Sequence, residues 1–98
     1  MSQTVIVRYR TRPESAEENA RLVRAVFDEL AVTRPEGFRY ATYRLGDGVT
    51  FVHVARLEGD NPLTRSAAFA AFQAGLSDRC VEGPEPATAE RVGAYGEE

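Results

Sequence analysis

Apolar residues recur at helical spacing between Ser15 and Pro35: Ala16, Ala20, Val23, Val26, Phe27 and Leu30 share one face. The spacing predicts an amphipathic helix over residues 15–33. Ser15-Ala16-Glu17-Glu18 reads as a capping box at its start, and Pro35 stops it. Ahead of this helix, Thr4 to Thr11 (TVIVRYRT) is rich in β-branched and aromatic residues and predicts a strand. Val5, Val7 and Tyr9 point one way, and Ile6, Arg8 and Arg10 the other.

Pro35-Glu36-Gly37 marks a turn, and Phe38 to Leu45 and Val49 to Leu57 predict two strands joined at Gly46-Asp47-Gly48. Two registers fit that loop. With Asp47-Gly48 as a two-residue type I′ turn, His53 pairs with Thr42; with Gly46 to Gly48 as a three-residue loop, it pairs with Ala41. Asp60 or Asn61 then caps a short helix over about residues 64–79, with Pro62 at its first position and Phe69, Phe72 and Leu76 on its apolar face. Gly83-Pro84-Glu85-Pro86 reads as a rigid linker, Ala87 to Tyr95 as a weaker last strand, and Gly96-Glu97-Glu98 as a frayed end.

The order is β-α-β-β-α-β, which predicts a ferredoxin-like α+β sandwich: a four-stranded antiparallel sheet, strands one and three central, both helices on one face. The remaining face should be polar in a monomer. Here neither face is polar: strand three carries Val49, Phe51, His53, Ala55 and Leu57 on one side and Thr50, Val52, Val54 and Arg56 on the other, and strand two splits likewise into Phe38, Tyr40, Thr42 and Arg44 against Arg39, Ala41, Tyr43 and Leu45. A sheet apolar on both faces is usually covered on both, so a homodimer with two sheets face to face is expected.

Composition narrows the class. Ninety-eight residues make one domain, residues 1–98, with a modest core of its own. Twelve basic against fifteen acidic side chains give a net charge of −3, which argues against nucleic acid as a partner. Arg8, Arg10 and Arg12 share one strand face, which reads as a solvated or ion-paired face in preference to a phosphate site. Cys80 is the one cysteine, so no intrachain disulfide forms, and at a helix C-terminus it reads as a buried, inert thiol. No apolar run is long enough for a membrane span, and a cytoplasmic location is expected.

Pro35-Glu36-Gly37-Phe38-Arg39-Tyr40, the strand pair through Thr50-Phe51-Val52, and the following helix with Phe69 and Phe72 carry a resemblance. Over nearly its whole length the chain resembles the dimeric α+β barrel group that includes the antibiotic biosynthesis monooxygenase domains. The resemblance implies oxygenation of aromatic, polyketide-like substrates without metal or flavin; the group also holds haem-degrading relatives. Members often end strand three with Glu and, two residues on, Trp. Ala55 and Leu57 stand there instead, and residues 58–80 contain no histidine, so those family residues are not carried over.

Candidate chemistry centres on His53, the only histidine. A neutral imidazole could take a phenolic proton at cellular pH, making an electron-rich anion that reacts with oxygen. Tyr9, Tyr40 and Tyr43, with Phe51, Phe69 and Phe72, are the candidate ligand-binding residues, since small-molecule sites are mostly apolar with few polar groups. No metal-ligand spacing is present and no cofactor is called for. Two functions follow: a module binding a small hydrophobic or aromatic molecule without catalysis, which the missing family residues favour, and a cofactor-independent monooxygenase with His53 as base.

Overall fold

The computed structural model describes residues 2–96. Four strands form one antiparallel sheet: β1 (Gln3–Thr11), β2 (Phe38–Arg44), β3 (Thr50–Leu57) and β4 (Cys80–Ala89), in the order β2-β3-β1-β4. Helices α1 (Ala16–Thr33), α2 (Ala67–Ala74) and α3 (Leu76–Arg79) complete it. The core contains Tyr9 and Phe51 from the central strands, Val23 and Val26 from α1, and Phe72 and Leu76 from the later helices. This is the expected ferredoxin-like α+β arrangement, with β1 and β3 central.

The hairpin takes the register that pairs Thr42 with His53. Its turn is not type I′, which needs two successive positive φ angles. Gly48 alone is positive there (φ 79°), and its N–H closes the turn on the Leu45 carbonyl at 2.9 Å. The Asp47 carboxylate accepts from the Val49 and Thr50 amides and, at 2.6 Å, from the Thr50 hydroxyl. Those bonds stabilise the anion, the Thr50 hydroxyl most, and hold Asp47 down at about 2.

Three boundaries depart from expectation. Ser15 makes no capping bond, because Pro13–Ser15 already forms a 3-10 turn and Ser15 has near-helical angles (φ −102°, ψ −5°). The second helix is split. Asn61 caps a 3-10 turn at Pro62–Arg65 by accepting from the Leu63 amide, and Ser66 then caps α2 by accepting from the Phe69 amide at 2.9 Å. The Glu29 carboxylate of α1 accepts from the Ala68 amide at 3.0 Å, tying the start of α2 to α1 and fixing where Phe69 and Phe72 enter the core.

The third departure is β4. The predicted linker lies inside it, and the strand ends at Ala89. Pairing with β1 shifts by one residue between Arg8↔Glu85 and Arg10↔Glu82, a bulge centred on Gly83. Gly83 has φ 78°, and a Cβ there would lie 2.8 Å from the Arg8 carbonyl oxygen, so this close approach needs glycine. Pro84 and Pro86 follow within the strand, and Pro86 stands opposite Val7. Arg8 and Arg10 lie at exposed positions on the outer sheet face, and Arg10 pairs with Glu82 at 3.2 Å. No helix among the described residues is long and apolar enough to cross a membrane.

Candidate functional site

Alternation along β1, β2 and β3 sends Val5, Val7, Tyr9, Tyr40, His53 and Ala55 to the side of the sheet that the helices cover. Phe69, Phe72 and Leu76 close over them, leaving a cavity of about 240 Å³. Its lining is mostly apolar. Gln73, which is solvent-exposed as well as cavity-lining, marks the mouth.

The polar groups converge on His53, 5% exposed. Tyr9 Oη lies 2.7 Å from its Nε2, and Tyr40 Oη and Thr42 Oγ1 lie 2.6 and 3.1 Å from its Nδ1. Cross-strand neighbours supply all three hydroxyls, since Thr42 pairs directly with His53 and Tyr9 and Tyr40 sit diagonally from it. Rings brace the cluster: Phe27 stacks on Tyr40 at 5.0 Å, Phe51 on Tyr9 at 5.6 Å, and Phe72 lies 5.4 Å from His53.

A second layer stands behind Tyr9. Asn19 of α1 is fully buried and its Nδ2 donates to Tyr9 Oη at 2.9 Å. Arg79, 8% exposed at the end of α3, donates from Nε to Asn19 Oδ1 at 3.0 Å and from a terminal nitrogen to the Phe72 carbonyl at 2.7 Å. Its guanidinium lies over the Phe72 ring, 5.5 Å from the centroid. Among the described residues no carboxylate pairs with Arg79. Neither residue belongs to a motif in the sequence, although each lies on an apolar helical stripe: Asn19 between Ala16 and Val23, Arg79 after Phe69, Phe72 and Leu76.

Burial sets the electrostatics. It pushes His53 down to about 4, so the imidazole is neutral at cellular pH. It pushes the Tyr40 phenol up to about 12, against hydrogen bonding from Thr42, and raises Tyr9 further still, against the Asn19 bond. The Cys80 thiol is also buried and raised.

Of the sequence candidates, His53, Tyr9, Tyr40, Phe69 and Phe72 share the cavity. Phe51 backs Tyr9, fully buried, and does not line the cavity. Tyr43 lies on the opposite sheet face, 57% exposed, because its odd position on β2 points away from Tyr40 and Thr42. Among the described residues no group of three His, Cys, Asp or Glu side chains is placed to hold a metal ion.

No protein-family model matches the sequence, and no curated protein matches it. Solved structures do match. Rv0793 from Mycobacterium tuberculosis superposes with a TM-score of 0.74 at 20% identity, covering 98% of this chain and 100% of that one. A candidate antibiotic biosynthesis monooxygenase from Nitrosomonas europaea gives 0.75 at 13% identity, covering 97% and 94%. A mutant of SnoaB, a cofactor-independent oxygenase from Streptomyces nogalater, gives 0.68 at 17% identity, covering 98% of each chain. At such identities the likeness is one of fold, extends end to end, and joins the strand order and helix placement already described. The chain has the α+β ferredoxin-like fold of the antibiotic biosynthesis monooxygenase-like proteins.

Proposed function

We propose that this protein binds a small, mostly apolar or aromatic molecule in the cavity between sheet and helices. The observation that carries the reading is the apolar cavity with the hydrogen-bonded Tyr9–His53–Tyr40 cluster on its wall. Such a site excludes water from most of a ligand and offers few polar groups to orient it. Isothermal titration with small aryl alcohols and ketones is expected to give saturable binding. Ala55→Phe, which places a ring in the cavity, is expected to abolish it. No heat with any member of the panel would overturn the reading.

Cofactor-independent oxygenation is the second reading, supported by a neutral histidine set between two tyrosines and by the fold shared with SnoaB. Magnitude weighs against His53 as a free-standing base. Moving a proton from an ordinary phenol near pKa 10 to a group near 4 is uphill by about 8 kcal/mol. Oxygen uptake with quinols and polyphenols tests it, and equal rates in wild type and His53→Ala would remove His53 as the base.

The same proposal includes a homodimer. Ile6, Val52, Val54 and Ala41 are half-exposed on the outer sheet face, with Tyr43 beside Val52. A second copy is the simplest cover for that patch. Sedimentation is expected to give a species of twice 10.8 kDa at micromolar concentration; a single-chain species would sink this part alone.

A further inference from the structure

The hydrogen bonds around His53 have a direction, and it starts at Arg79. A guanidinium can only donate, so the Asn19 atom it meets must be the carbonyl oxygen Oδ1. That fixes the amide: Nδ2 faces Tyr9 and donates to Oη. With Oη accepting there, the Tyr9 O–H is directed at His53 Nε2, 2.7 Å away. A neutral imidazole that accepts at Nε2 carries its proton on Nδ1, and that N–H donates to Tyr40 Oη at 2.6 Å, shared with Thr42 Oγ1 at 3.1 Å. The Tyr40 O–H is then left over, and Tyr40 lines the cavity.

We propose that the Tyr40 hydroxyl is the cavity's hydrogen-bond donor and that the ligand meets it with an acceptor oxygen, as an aryl ketone or quinone does. This rests on the cavity being a ligand site. Both His53 nitrogens are engaged by tyrosines, so His53 relays rather than meets the ligand. Each bond in such a chain polarises the next. Arg79, buried with no carboxylate partner among the described residues, supplies the charge at its head, which makes it a positioning residue acting through Asn19, Tyr9 and His53.

The probes are 1-tetralone, whose only polar atom is an acceptor oxygen, and tetralin, the same skeleton without it. Titration of the full chain is expected to give tetralone at least about tenfold tighter than tetralin, the worth of one good buried hydrogen bond. Tyr40→Phe should bring that ratio to about one. Arg79→Gln should shrink the ratio, whereas a merely structural role would weaken both probes alike. Without any ligand, nitrogen-15 shifts of the His53 ring should report the Nδ1–H tautomer. Equal affinity for the two probes overturns the acceptor-oxygen proposal and leaves the binding reading standing. Binding of neither probe overturns both, and an Nε2–H tautomer overturns the direction of the chain.

Discussion

Phe72→Ala is expected to lower stability by about 3–5 kcal/mol, the range for removing a buried phenylalanine ring. Phe72 is 3% exposed and stands where the site and the core meet. Its ring lies 5.4 Å from His53, 6.3 Å from Tyr9 and 5.8 Å from Phe69, with Arg79 over its face at 5.5 Å. Removing it joins a new void to an existing cavity of about 240 Å³ and uncovers Arg79. Because domains are stable by only about 5–15 kcal/mol, such a loss is a large share of the whole. Urea unfolding at neutral pH measures it as a drop in midpoint at unchanged slope. Phe69→Ala is the control: Phe69 is half-buried and should cost clearly less. Equal costs for the two would show that the Phe72 ring is not the hub of this packing.

Acid will destabilise the protein between pH 6.5 and about 4, and His53 will account for a defined part of the loss. The folded chain holds His53 near 4 by burial, against an ordinary 6.5 in the unfolded chain. Above pH 6.5 neither state binds the proton and the full stability is present. As pH falls through 6.5 the unfolded chain takes up a proton that the folded chain refuses, so unfolding is favoured. The penalty grows until the folded imidazole itself titrates near 4. A gap of that width corresponds to about 3 kcal/mol. His53→Gln is neutral throughout and should lack this component, so the difference between variant and wild-type urea midpoints should change between pH 7 and pH 4.5. A constant difference would show that His53 titrates normally. The Asp47 contribution falls in a separate window: with its carboxyl held at about 2 against an ordinary 3.8, its stabilisation is full above 3.8 and is lost as pH falls from 3.8 through about 2.

The fold was largely legible because its signals are periodic. The α1 stripe from Ala16 to Leu30, the alternation of β1 and the Gly46–Gly48 loop each report local geometry that tertiary contacts only reinforce. The sequence pattern misleads where a residue type has two uses. Pro84 and Pro86 suggested a linker, yet they fit within a strand. Ser15 had the chemistry of a cap, but Pro13 began a 3-10 turn too early for it to act as one.

The site was half legible. His53 and its Thr42 partner followed from one of two hairpin registers, and with that register open Tyr43 could not be separated from Tyr40. Tyr9 fell to the right face by alternation alone. Asn19 and Arg79 join the site only through the packing of α1 against the later helices, and their sole trace in sequence is a polar residue set on an apolar stripe.

The prolines of β4 have a consequence for how copies of this chain can meet. β4 is an edge strand paired with β1, and Pro84 and Pro86 lie within it. Neither has an amide hydrogen, and the Gly83 bulge twists the strand beside them. A neighbouring chain that tried to extend the sheet along β4 would find no amide donor at either proline. The edge is therefore a poor template for strand addition and for the open-ended stacking that follows from it.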